Sequence, residues 1–311
     1  MRPLRRIAIA AAALTALTTV AACSTTGSAD QSTATRQLTD TRGTVTVPTR
    51  PTTAYVADWA ALDTLAALEV PVAGATLTRI PDDLKQKFTG AEDLGTPQEL
   101  KLEQVAAGDP DVIVVGARAT GQYDKLTEIA PTVDLTPTTT SHLDALEQQT
   151  TILGELFGKQ REAADRLAGI DTLIQDTRGA VAGKGDALVL MVSGGKISAF
   201  GPGSRFGLIH DDLGMPAAAP DLKVDAHGQV VSYEFIATAD PDWIFVIDRD
   251  KAIGQSGTPA AQVLDTDLVN RTTAGREGHI VPLDGVEWYV IGNGLNTTRS
   301  MIDDVRTAVA G

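Results

Sequence analysis

Downstream of Pro51, the segment TTAYVADWAALDTLAALEVPVAGAT opens on a short apolar run, continues with Leu62, Leu65 and Leu68 at helical spacing, and closes on a second apolar run. Apolar positions three and four apart share one helix face, whereas a short unbroken apolar run fits a strand covered on both sides, so the order predicted is strand, helix, strand. KLEQVAAGDPDVIVVGAR, ending at Arg118, repeats the alternation with a helix first, a Pro turn, and the strand VIVV. Such strands belong to parallel sheets covered by helices, which makes the fold class α/β.

From about residue 141 to 180 the pattern changes to HLDALEQQTTILGELFGKQREAADRLAGIDTLIQDTRGAV, apolar at three and four and free of proline. One helix of about 35 residues is expected, spanning about 50 Å. Alternation then resumes through ALVLMVS, KISAFG, a helix in RFGLIHDDLG, then VSYEFIATA, DWIFVID, a helix near AAQVLDTDLV, HIVPLD and a closing helix in NTTRSMIDDVRTAV. The expected body is therefore an N-terminal lobe at 39–140, one long α-helix at 141–180 and a C-terminal lobe at 181–311, both lobes Rossmann-like.

DPDVIVVGAR and DPDWIFVIDR say nearly the same thing at a constant offset of 131, which aligns Glu103 with Glu234, Asp109 with Asp240, Pro110 with Pro241, Asp111 with Asp242 and Arg118 with Arg249. The five identities without a gap read as an internal repeat, one copy per lobe. In open parallel sheets ligands bind beyond the carboxyl ends of strands, where both arginines fall.

The first residues stand apart. Arg2, Arg5 and Arg6 precede the apolar run IAIAAAALTALTTV, and the small residues that end it mark 1–22 as a secretory signal peptide. Cys23 is the single cysteine of the chain and follows Val20-Ala21-Ala22 as in a bacterial lipobox, so it is the expected lipidation site. Residues 23–38 are small and polar enough to be a flexible tether. The chain carries a formal charge of −14, and without the signal peptide 23 basic residues face 40 acidic ones. That balance excludes a nucleic-acid partner and makes any arginine cluster conspicuous.

Candidate chemistry is sparse. GPGSRFG at 201–207 follows an apolar strand and is expected to open a helix with Ser204 as its cap, so that its amides and helix N-terminus welcome an anion and Arg205 adds a cation; a plain strand-to-helix turn with a solvent-facing arginine is the competing reading. His227 lies in the loop DAHGQ, where a lone histidine is more often a surface residue than a ligand. Trp288 and Tyr289, in GVEWYVIGNGL, read as a strand end whose aromatics serve a site or fill core. No G-x-S-x-G elbow, H-E-x-x-H pair or Walker A loop is present, and four histidines give little material for a zinc or manganese site.

From GTVTVPTRP to its end the chain resembles the iron-siderophore binding lipoproteins of ABC importers, class III substrate-binding proteins whose lobes are joined by a long helix. LDTLAALEVPVAG, KLEQVAAGDPDVIVV and YDKLTEIAPTVDL carry the likeness in the first lobe. GSRFGLIHDDLG, KVDAHGQVVSYEFI, DPDWIFVIDRD and VEWYVIGNGL are similar to the CeuE-type catecholate siderophore branch. This resemblance implies that Arg118, Arg205 and Arg249 surround an anionic Fe(III)-siderophore complex. It further implies that His227 and Tyr289 coordinate iron directly when the siderophore is tetradentate, and that Glu103 and Glu234 dock onto an ABC permease dimer, one per lobe. The same glutamates also suit helix starts.

The implied protein is a monomeric, extracytoplasmic receptor anchored to the cell membrane through Cys23, with no intrinsic cofactor and no enzymatic activity. Hydroxamate and mixed-donor siderophores stay open as ligands. A haem or cobalamin receptor of the same fold is one alternative, and an extracytoplasmic phosphate-ester-processing enzyme using the Gly-rich loop is another.

Overall fold

The computed structural model describes residues 34–310, so the signal-peptide segment and Cys23 lie outside the described residues. The body begins with a hairpin, β1 (Thr35–Thr39) and β2 (Thr44–Pro48). Strand structure thus starts inside the stretch expected to be a tether, because the alternation in TRQLT turns Leu38 inward, where it is buried.

The first lobe continues with β3 (Ala54–Ala57), α1 (Trp59–Ala67), β4 (Gly74–Ala75), α2 (Asp82–Lys87), β5 (Glu92–Asp93), α3 (Leu102–Ala107), β6 (Val112–Val115), α4 (Tyr123–Thr127) and β7 (Thr132–Asp134). Its strands form a parallel sheet in the order β5-β4-β3-β6-β7. Two helices follow, α5 (His142–Phe157) and α6 (Gln160–Val181).

The second lobe comprises β8 (Ala187–Ser193), β9 (Lys196–Phe200), β10 (Gln229–Val230), α7 (Tyr233–Ala239), β11 (Trp243–Asp248), α8 (Arg249–Ala252), α9 (Ala260–Leu264), α10 (Asp267–Asn270), α11 (Thr273–Glu277), β12 (Ile280–Leu283) and α12 (Leu295–Ala310). Here the sheet order is β10-β9-β8-β11-β12, and β9 runs antiparallel to both its neighbours. Gly194 and Gly195, both at positive φ, make the two-residue turn that lets β9 fold straight back on β8.

The single long helix expected at 141–180 is two helices. Gly158 takes the left-handed conformation at φ +68 and closes α5, its N–H bonding to carbonyls of the last turn. Beyond it the chain turns back, and Gly154 approaches so near to α6 that an added Cβ would lie 2.9 Å from the Cβ of Ala163. At 22 residues, α6 spans about 33 Å and leads into the second lobe.

Alternation along the central strands divides the core. Val112 and Val114 of β6 face one way and Ile113 and Val115 the other, and β11 splits likewise between Phe245, Ile247 and Ile244, Val246. The first set from each lobe joins a single cluster with Leu62 and Leu65 of α1, Leu153 of α5, Ile174 of α6 and Ile302 of α12. The lobes therefore share one apolar interior, while their outer faces are covered separately.

Polar links reinforce this junction. Asp63 of α1 accepts hydrogen bonds from the amides of Asn296 (2.8 Å) and Thr297 (3.1 Å), so a carboxylate from the first lobe caps the last helix of the second. Gly294 is required beside it, since a Cβ there would stand 2.2 Å from Asp63 Oδ2.

Candidate functional site

The repeat aligned at an offset of 131 has a structural counterpart at each step. Glu103 and Glu234 are exposed residues in the first turns of α3 and α7. Asp109 and Asp240 both leave those helices at positive φ, 46° and 40°, a conformation that Asp tolerates better than most residues. Asp111 then accepts the amide of Thr52 (2.7 Å), and Asp242 accepts that of Asp186 (3.0 Å), each tying its strand to the start of the neighbouring one. β6 and β11 consequently deliver Arg118 and Arg249 beyond their carboxyl ends.

The two arginines meet at Tyr289. Arg118 donates from Nη2 to the Tyr289 carbonyl oxygen at 2.8 Å, and Arg249 donates from Nε to the Tyr289 hydroxyl at 2.8 Å. Arg205, arriving from the loop after β9, donates to the same carbonyl at 3.3 Å. All three guanidinium carbons lie within 5.7 Å of the Tyr289 ring centre. Arg249 is braced by Ser193 Oγ (3.2 Å) and sits 3.7 Å from Asp250, whereas Arg118 and Arg205 pair with no carboxylate among the described residues. Burial of the guanidinium, and then the charges of Arg118 and Arg249, push the Arg205 pKa below its ordinary value.

Tyr289 is not at a strand end. Val286–Ile291 forms a wide π-helical turn, with the amide of Gly292 reaching back to the carbonyl of Glu287 at 2.8 Å, and it presents Tyr289 to the arginines while Trp288 faces the core. The Gly-rich loop also departs from expectation. It leads into a short π-helical turn, Leu208–Asp212, and the Gly203 amide donates to Asp211 Oδ2 at 2.6 Å. Ser204 caps nothing; its hydroxyl is buried and unpaired. An amide suited to phosphate is thus already engaged by a carboxylate, and of this loop it is Arg205 that reaches Tyr289.

A cavity of about 410 Å³ lies where these groups meet, lined by Asp58, Arg118, His142, Arg205, Tyr289 and Asn293 among others. His227 is not brought in. It is exposed on a turn whose neighbour Ala226 borders the cavity, and its amide donates to Asp225 at 2.8 Å.

Four polar residues of this wall, Asp58, His142, Gln149 and Asn293, escaped the sequence reading. Asp58 caps α1 by accepting the amide of Ala61 at 2.8 Å, and burial raises its carboxyl pKa against the opposing pull of that amide and of Arg118. Asp after a strand and before WAAL is a legible N-cap signal, and its place at a strand's carboxyl end pointed to the site. His142 is buried, its Nε2 2.9 Å from the Thr298 hydroxyl, and burial drives its pKa down to about 4, so the ring is neutral. Asn293 donates to the His142 carbonyl at 3.0 Å. Those partners are more than 150 positions apart and left no local signal. Among the described residues no three His, Cys, Asp or Glu side chains group to hold a metal ion, and no helix is long and apolar enough to cross a membrane.

Two α/β lobes on a shared core, with a cationic cleft beyond their strand ends, define a substrate-binding protein. The chain belongs to the periplasmic binding protein family, whose pattern matches residues 52–286. It is similar to the petrobactin-binding protein YclQ of Bacillus subtilis, at 36% identity over 97% of this chain and 98% of YclQ. The crystal structure of YclQ matches with a TM-score of 0.85 and 35% identity, covering 89% of this chain and 99% of that one. The ferric-anguibactin-binding protein FatB of Vibrio anguillarum is 32% identical over 85% of this chain and 84% of its own. A periplasmic binding protein from Xylanimonas cellulosilytica is 43% identical, with a TM-score of 0.81 over 86% of this chain and 92% of its own.

Proposed function

We propose that this chain is the extracytoplasmic receptor of an iron importer, binding a ferric siderophore in the interlobe cleft and handing it to an ABC permease. It is a binding protein and performs no chemistry. The observation that carries the reading is the convergence of Arg118, Arg205 and Arg249 on Tyr289 in a chain of net charge −14. The naming of YclQ and FatB for petrobactin and ferric anguibactin supports the same ligand class.

The charge of the site favours a catecholate. Six phenolate oxygens around Fe(III) leave a complex of about −3, and guanidiniums give charge-assisted hydrogen bonds to those oxygens in a partly dry cleft. When the siderophore supplies only four oxygens, Tyr289 Oη and a ring nitrogen of His227 complete the coordination. Tyr289 already accepts a hydrogen bond at Oη from Arg249, whereas His227 reaches iron only if the turn at Asp225–Gly228 folds over the cavity. In this reading Cys23 carries the lipid anchor, and Glu103 and Glu234 are the docking acids of the two lobes.

Titration of the purified protein with a ferric tetradentate catecholate tests the proposal. Quenching of Trp59 and Trp288 fluorescence and a phenolate-to-iron charge-transfer band are expected. No binding of any ferric siderophore in a catecholate and hydroxamate panel would overturn the function, and an unchanged spectrum and affinity in the double variant His227→Ala, Tyr289→Phe would overturn direct coordination alone.

A further inference from the structure

Beside the arginine cavity lies a second one of about 360 Å³, and the two share Pro137, His142, Arg205, Ala226 and Asn293 along their common border. The walls differ in chemistry. The first holds two guanidiniums, Arg118 and Arg205, with Arg249 behind Tyr289, whereas the second is closed on one side by the hydroxyl-bearing run Thr139, Thr140 and Ser141 and on the other by Val224 and Ala226. Its charged groups are Arg205 at the border and Asp225, so it has no excess of positive charge.

We infer that this annex is a subsite for the uncharged, hydrogen-bonding spacer that links the chelating groups of the siderophore, which rests on the receptor function proposed above. Asp225 repels the anionic chelate and directs it to the arginines. Val224 is 62% exposed at the mouth of the annex, a large apolar side chain that a bound spacer would cover. At the border the neutral ring of His142, held by Thr298, offers a hydrogen-bonding edge without adding charge, and Asn293 fixes its backbone.

Thr140 and Val224 line the annex only, come from opposite walls, and are exposed, so enlarging either leaves the core and the arginine cluster intact. Thr140→Trp and Val224→Trp should each weaken binding of a ferric bis-catecholamide with a long spacer about tenfold or more. Binding of the untethered Fe(III) complex of a simple catecholamide should stay within about twofold of the unsubstituted protein. Equal losses for both complexes, or a loss for neither, would overturn the subsite. Failure of the unsubstituted protein to bind either complex would instead refute the receptor function itself.

Discussion

Arg249 donates from Nε to the hydroxyl of Tyr289 at 2.8 Å, so the strand that ends the repeat in the second lobe is fastened to the π-helical turn that presents the tyrosine. That contact makes the phenolic oxygen an acceptor and sets the guanidinium beside the ring. Loss of the arginine removes a positive charge and a fixed donor together.

Arg249→Ala is therefore expected to weaken ferric-siderophore binding by roughly 30- to 100-fold, about 2–3 kcal/mol, as for other charge-assisted bonds in partly dry sites. Arg249→Lys should recover only part of this, because an ammonium cannot engage Tyr289 and Ser193 with the same planar fork. Fluorescence titration at low and high salt checks both, and a full recovery by lysine would show that charge alone matters.

Among the groups with shifted pKa, buried His142 and half-buried Glu287 should make stability depend on pH with opposite signs. His142 is held neutral with its pKa near 4, below the ordinary 6.5, so the unfolded chain binds more protons between those values. Stability is complete above about pH 6.5 and falls toward pH 4, by roughly 3 kcal/mol for a shift of this size. Glu287 is pushed the other way, to about 7 from 4.5, chiefly by burial, with Asp284, Asp304 and Asp63 adding to it and Ser300 opposing. Here the native state binds the extra proton, so stability declines as pH rises from about 4.5 through 7, by only about 1 kcal/mol once its partial exposure is discounted. Urea unfolding across pH 4–8 should show Glu287→Gln removing the decline between about pH 6.5 and 7 and steepening the rise that His142 produces between about pH 4.5 and 6.5.

Gly116 marks where β6 ends at the site. A Cβ there would stand 2.1 Å from Asp58 Oδ2, the carboxylate that caps α1. Gly116→Ala is expected to lower stability by roughly 1–3 kcal/mol through overpacking and disturbance of the cap. Asp58→Ala should lose about 1 kcal/mol for the cap alone. Thermal unfolding of both and of the double variant would detect the shared mechanism as a sum smaller than the two separate losses.

The cap that Asp63 places on α12, together with the shared core, argues for small lobe movement on binding. Small-angle scattering with and without ferric siderophore should show little compaction. Asp63→Ala should destabilise by roughly 2 kcal/mol, because two amides at the start of α12 lose a buried acceptor. A large ligand-induced compaction in the unsubstituted protein would contradict this coupling.

What could be read along the chain was what local pattern specifies. VIVV and WIFVI announced buried strands because their two faces meet different cores, and the constant offset placed Arg118 and Arg249 at equivalent ends. Gly158 stopped a helix without a proline, and a lone glycine inside a 3.6-residue pattern gives weak notice of a left-handed cap. The setting of Tyr289 depends on a π-helical turn, which no apolar periodicity signals. His142 owes its place to Thr298 and Asn293, contacts that exist only once both lobes have packed.

The repeat also yields a prediction for the surface. Glu103 and Glu234 occupy equivalent first turns of α3 and α7, both exposed and remote in the repeat from the strand ends that carry the arginines. Ser232 hydrogen-bonds to the Glu234 side chain and its own backbone adds to this, holding its carboxyl pKa below the ordinary value, so the residue carries its charge across the physiological range. If the pair docks the receptor, Glu103→Arg and Glu234→Arg should each reduce siderophore-dependent ATP hydrolysis by the reconstituted permease about tenfold, and the double variant should abolish it through charge opposition at both lobes. Siderophore affinity should remain within about twofold, because neither residue contributes to the cleft. If the acids serve only the first turns of their helices, the same reversals would lower the unfolding temperature slightly through the helix dipole and leave transport intact.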